Sequence, residues 1–165
     1  MGALLFGGEN MATIKGITVQ IGSDTTGLQA ALKDVNQHSR EIASELRQVE
    51  RLLKFNPHDT ELLAQKQQLL SEQVDNTRKK LDTLKTAQEQ VNEQLKKGEI
   101  SEEQHRAFQR ELIKTESQLK TYEKQLKAVN IESDSFKIAM DKVGDSLEAA
   151  GKKMADIGKG LSLKV

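Results

Sequence analysis

Apolar residues recur alternately every four and three positions through most of the chain. The first series is Leu28, Leu32, Val35, Ser39, Ile42, Leu46, Val49 and Leu53, in which only Ser39 is polar. A second runs Leu63, Gln67, Leu70, Val74, Thr77, Leu81, Leu84, Gln88, Val91 and Leu95, and a third Phe108, Leu112, Thr115, Leu119, Tyr122, Leu126 and Val129. A stripe of this spacing covers one narrow side of a helix and is buried only against another helix with a matching stripe. The pattern therefore predicts an all-α fold of long antiparallel coiled-coil helices joined by short hairpin turns. Its 3.5-residue period implies left-handed supercoiling.

Local signals divide the stripe. Residues 13–21 alternate in the two-residue period of a strand, with Ile17, Val19 and Ile21 on one face and Thr18 and Gln20 on the other. A lone strand leaves its own amides unpaired, so this one is expected to pair with another copy, another chain or a part of the protein outside this sequence. Thr26 and Gln29 have capping-box spacing and predict a helix start. Asn56 is placed to cap the next helix, with Pro57 in its first turn. Gly98 reads as a stop, and Ser101 with Gln104 as a second capping box. The expected order is a short strand in 11–23, hairpin helices over 24–130 (24–55, 57–97 and 101–130), and a last helix over 134–163 after a pause at 130–134. In that last helix the stripe resumes through Phe136, Met140, Val143, Leu147, Ala150, Met154, Ile157 and Leu161. Gly144, Gly151 and Gly158 recur there every seven residues, where a glycine costs roughly 1 kcal/mol against alanine. This suggests either a close approach to another surface or a helix ordered only by what continues it.

Composition sharpens the picture. Charged residues make up 30% of the chain and aromatics 3%, with one proline, which suits long helices better than a compact aromatic core. Net charge is zero, with 25 basic and 25 acidic residues interspersed, so the continuous basic face that phosphate neutralisation needs is missing. Nucleic-acid recognition is not expected. Cysteine is absent, which excludes disulfides and thiolate metal sites. His38, His58 and His105 share no metal-ligand spacing, and no cofactor is expected. Glu102 and Glu103 fit a helix N-terminus better than acid–base work. Gly158-Lys-Gly160 with Ser162 misses the phosphate-loop spacing. No catalytic residue is singled out, and the chain is not expected to be an enzyme. A membrane-active helix over 136–163 is weakened by Asp141, Asp145, Glu148 and Asp156.

The opening decapeptide ends in Gly7-Gly-Glu-Asn10, whose codons can form a purine-rich ribosome-binding site before Met11. Residues 1–10 are therefore read as an upstream extension, with Met11 the natural start.

The ordered set of signals resembles a known family. Ile17-Thr-Val-Gln-Ile-Gly-Ser-Asp24-Thr-Thr-Gly27-Leu28 followed by a heptad helix resembles the N-terminal region of phage tail tape measure proteins. The likeness continues through Arg51-Leu-Leu-Lys-Phe-Asn-Pro-His-Asp-Thr-Glu-Leu-Leu63 and Gly98-Glu-Ile-Ser-Glu-Glu-Gln-His-Arg-Ala-Phe108. It extends to Val143-Gly-Asp-Ser-Leu147, Gly151-Lys-Lys-Met154 and Ile157-Gly-Lys-Gly-Leu161. The resemblance implies a structural component of a long phage tail, extended in the tube lumen, whose length sets that of the tail. Tail tube, tail-tip and tail assembly chaperone proteins are the partners it implies, beside self-association. The virion tail, and the host cytoplasm during assembly, are its implied locations. Family members run to many hundreds of residues, so this chain would be a fragment or a prophage remnant. The other reading of the same pattern is a free-standing coiled-coil adaptor or spacer.

Overall fold

The computed structural model describes residues 14–162. Within the last helix the side chains at 133, 135–140, 143, 144, 147 and 154–162 lie outside that description. A two-stranded antiparallel sheet, β1 (Thr18–Ile21) and β2 (Asp24–Gly27), leads into three helices: α1 (Leu28–Phe55), α2 (Thr60–Lys96) and α3 (Glu102–Ser162). The fold class is as expected, all-α with a small N-terminal β element.

The strand finds its partner inside the chain. β1 and β2 are joined by Gly22-Ser23, with Ile21 opposite Asp24 and Gly22 at φ +64°. A two-residue turn of this kind matches the twist of the strands it joins. The expectation of an outside partner is thus corrected, and with it the capping box at Thr26. Thr26 lies in β2 opposite Val19, and the helix begins after Gly27, which makes no side-chain cap. The Leu28 amide donates to the Ile17 carbonyl at 2.8 Å, so the ladder runs straight into the helix start.

The α1–α2 junction also differs from the sequence reading. Asn56 closes α1, its amide donating to the Leu52 carbonyl. Asp59, not Asn56, caps α2: its Oδ1 accepts from the Leu62 amide at 2.9 Å. Pro57 therefore sits in the turn. A carboxylate at the positive end of a helix dipole is the stronger cap, and Asn56 steadies it by donating from Nδ2 to Asp59 Oδ2.

At the far end of α2 the stop at Gly98 is realised. Gly98 has φ +72°, its amide donates to the Leu95 carbonyl, and the Glu99 amide donates to the Gln94 carbonyl. This pair of bonds needs a left-handed residue between them, a conformation natural to glycine. The capping box at Ser101 forms as well. The Gln104 amide donates to Ser101 Oγ at 3.1 Å, and the Ser101 amide to Gln104 Oε1 at 2.8 Å. α3 then continues to Ser162 with no pause at 130–134. That stretch holds neither Gly nor Pro, and Asn, Ser and Asp alone seldom end a helix.

Consecutive helices run antiparallel. Ser39 meets Gln73 and Val35 meets Asn76 across α1 and α2, while Lys85 meets Glu116 and Arg78 meets Glu123 across α2 and α3. Two apolar clusters hold them. One joins Ile14, Ile17 and Val19 to Leu28, Leu32, Leu84, Ala87, Val91, Ile100, Ala107 and Phe108. The other gathers Ile42 and Leu46 from α1, Leu70 from α2 and Val129 from α3. Among the described residues no helix is long and apolar enough to cross a membrane.

Candidate functional site

The apolar stripe is the feature on which the sequence reading rests, and most of its members up to Val129 are shielded from solvent. Leu28, Leu32, Ile42, Leu46, Val49, Leu63, Leu70, Val74, Leu81, Leu84, Val91, Phe108 and Val129 are buried. Val35, Leu53, Leu95, Leu112, Leu119, Tyr122 and Leu126 are half-buried. Of the polar stripe members, Thr77 and Thr115 are buried, Ser39 and Gln67 half-buried, and Gln88 exposed. Buried threonine hydroxyls need acceptors, and both find one a turn back in their own helix: Thr77 Oγ1 donates to the Gln73 carbonyl, Thr115 Oγ1 to that of Glu111.

The stripe misses a second set of buried residues on α2. This helix lies between α1 and α3, so it has two contact faces, whereas a single heptad stripe describes one. Gln73, fully buried, donates from Nε2 to Ser39 Oγ at 2.7 Å, and Asn76 donates from Nδ2 to the Val35 carbonyl at 2.8 Å. Gln73 Oε1 has no hydrogen-bond partner. An orphaned buried acceptor costs roughly 1–3 kcal/mol. Nothing in the local sequence announces that Gln73 and Asn76 are interior, since both are residues normally found at the surface.

The N-terminal hairpin is pinned to the bundle by three glutamines. Gln94 Nε2 donates to the Thr18 carbonyl at 2.6 Å, and Gln94 Oε1 accepts from the Thr18 amide at 3.4 Å. One turn earlier Gln90 does the same for Gln20, at 3.0 and 2.6 Å. Gln104, besides closing the capping box, donates from Nε2 to the Lys15 carbonyl at 2.7 Å. Beside it Gly16 has φ +92°, and a Cβ there would lie 3.1 Å from Gln104 Nε2, so only glycine fits without displacement.

Charged groups on the flanks pair across helices. Lys80 and Glu111 are the most enclosed such pair, at 2.5 Å with side chains 13% and 16% exposed. Arg78–Glu123 at 2.8 Å and Lys66–Glu50 at 3.7 Å are more open. A groove of about 540 Å³ beside the hairpin is lined by Lys15, Ile17, Gly27, Ala30, Lys33 and Arg40, a cationic rim with no hydroxyl, thiol or carboxylate side chain among the described residues. The histidines do not converge: His105 Nε2 lies 2.8 Å from Asn92 Oδ1, and His38 is 3.9 Å from Glu41. Among the described residues no three His, Cys, Asp or Glu side chains could hold a metal ion together. The described chemistry is that of packing, amide hydrogen bonds and ion pairs.

Of the glycine heptads, Gly151 is exposed, as is the stripe residue Ala150. The side chains of Phe136, Met140, Val143, Leu147, Met154, Ile157 and Leu161, with Gly144 and Gly158, lie outside the described residues, as do residues 1–13 with Met11.

The chain matches no protein-family model, no curated protein and no solved structure.

Proposed function

We propose that this chain is a non-catalytic structural segment from the N-terminal region of a phage or prophage tail tape measure protein. The observation that carries the reading is the ordered set of sequence signals from Ile17 to Leu161: strand, heptad helix, two turns and glycine heptads. Its helical layout supports it, because a helix converts residue number into length at a constant rise of 1.5 Å per residue. α3 alone, with 61 residues, would extend roughly 90 Å. In this reading the folded-back bundle is the form before assembly, and the helices open end to end in the tail tube. Tube, tip and tail assembly chaperone proteins are the partners, in the host cytoplasm during assembly and in the virion tail afterwards.

Deleting the gene from a host that produces tailed particles should abolish complete tails. Mass spectrometry of tails purified from the parent strain should recover peptides from residues 14–162. Tails of unchanged number and length after deletion would rule the reading out. In that event the chain would be a free-standing adaptor, and its neighbouring genes would encode neither tube nor tip.

A further inference from the structure

Basic and acidic residues are interspersed along the sequence, and the fold sorts them. Between Glu103 and Glu132 the acids of α3 are Glu111, Glu116 and Glu123. Each is held by a cation of α2: Glu111 by Lys80, Glu116 by Lys85 at 3.8 Å and Glu123 by Arg78 at 2.8 Å. The side of α3 opposite its apolar stripe is left with cations and neutral residues. At 100° per residue, Arg110, Lys114, Lys120, Lys124 and Lys127 fall within roughly 140° of the helix circumference, and no acid between Glu103 and Glu132 shares that arc. All of these cations are exposed, and none makes an ion pair among the described residues.

The helix is unbroken here, so these cations form a row roughly 25 Å long. Arg110 with Lys114, and Lys120 with Lys124, are like-charged neighbours one turn apart, an arrangement that weakens a helix slightly. On most solvated helices acids one turn away offset such pairs. The α3 acids that could do so are engaged by α2, and an anion in front of the row would relieve the repulsion.

We infer that this face of α3 docks on the phosphate backbone of duplex DNA without reading its sequence. A duplex carries one charge per ~1.7 Å of its axis, so a row of lysine point charges finds partners in any register. The neutral residues of the face decide among anionic partners. Ile113 and Ile131 are exposed there but lie roughly 27 Å apart, with Ser117, Thr121 and the lysines between them. A helix that lies on a lipid surface needs a continuous apolar side. A protein interface centres on an apolar or aromatic anchor. The face supplies neither, and it holds no aromatic ring on which an unpaired base of a single strand could stack. What it offers is charge, and the docking does not depend on the tape measure reading.

Fluorescence anisotropy of a labelled, mixed-sequence DNA duplex, titrated with the full chain at several salt concentrations, tests the docking. Binding should be micromolar at about 50 mM salt, with log K falling against log salt at a slope of about −4, as for counterion release from four to five phosphates. Lys120→Gln, Lys124→Gln and Lys127→Gln together should reduce the magnitude of that slope by about 3 and weaken binding at least about tenfold on every duplex sequence. Glutamine suits an exposed helix position as well as lysine does, so the thermal melt of this variant should match the parent's. Lys79→Gln, Lys96→Gln and Lys97→Gln together make the same change in net charge on α2 and at its end, and should leave the slope in place. The inference is overturned if the parent does not bind the duplex at about 50 mM salt, if the α3 variant keeps the parent's slope, or if the two triple variants lose affinity equally. Tighter binding to anionic lipid vesicles, to polyglutamate or to a single strand of the same length than to the duplex would overturn it equally.

Discussion

Gln90 and Gln94 do for the outer edge of β1 what a third strand would do. Each primary amide offers a donor and an acceptor at about the spacing of a backbone residue, and their four-residue separation on α2 matches alternate residues of a strand. Exposed strand edges invite pairing with other chains, and here side chains close one. Replacing both by alanine should destabilise the hairpin by about 1–2 kcal/mol. Amide hydrogen exchange at Thr18 and Gln20 should then accelerate about tenfold while α3 amides keep their protection. Unchanged exchange would show that apolar packing of Ile17 and Val19 alone holds the hairpin. The polar layer between α1 and α2 makes a second residue-scale prediction. Ser39→Ala leaves Gln73 Nε2 only the longer bond to the residue-39 carbonyl, 3.4 Å away, beside an acceptor that is already orphaned, and should cost about 1 kcal/mol in urea denaturation. Combining Ser39→Ala with Gln73→Leu removes both polar partners and should recover most of that loss. A double variant less stable than the single one would contradict this account.

Helix ends are decided over a few residues, and here the local signals differ in how far they were readable. Ser101 and Gln104 form their box because donor and acceptor lie three residues apart and nothing else claims them. Thr26 and Gln29 have the same spacing and form none, because Thr26 is engaged in pairing with Val19. Tertiary pairing outweighed a local preference of about 1 kcal/mol. Asp59 displaced Asn56 as cap because the chain needs Asn56 and Pro57 to reverse direction first. Gly98→Ala places a side chain in open space but at φ +72°, so its cost is purely conformational and should be about 1–2 kcal/mol. Ser101→Ala should cost about 1 kcal/mol. Thermal melts of both variants check these values, and a neutral Gly98→Ala would mean that the α2–α3 turn adopts another backbone path.

At the scale of the molecule, the larger apolar cluster lies where β1 meets all three helices. Phe108 is 1% exposed in the cluster that joins the hairpin to the helices, whereas Phe55 is 85% exposed at the α1–α2 turn. Phe108→Ala should lower stability by about 3–5 kcal/mol. Phe55→Ala should stay within about 0.5 kcal/mol of the parent. Equal losses in chemical denaturation would mean that the turn is buried in solution, as in an assembly. The ion pair between Lys80 and Glu111 is enclosed enough for Glu111→Gln to be felt, whereas removing Glu123 from exposed Arg78 should change little.

What the sequence determined by itself was the helical character of most of the chain and where some of its helices stop and start. Heptad spacing, a stop at Gly98 and a box at Ser101 are local facts, because hydrogen bonds within a helix and at its ends join residues no more than a turn or two apart. The tertiary structure alone decided partnership: that β1 pairs with β2, that α2 lies between two neighbours and so buries Gln73 and Asn76, and that Gln90, Gln94 and Gln104 hold the hairpin. Apart from the local β1–β2 pairing, those contacts span 34 to 89 residues of chain. A side chain's own identity carries no record of a neighbour so distant, since the same glutamine serves equally at a wet surface or inside a polar layer.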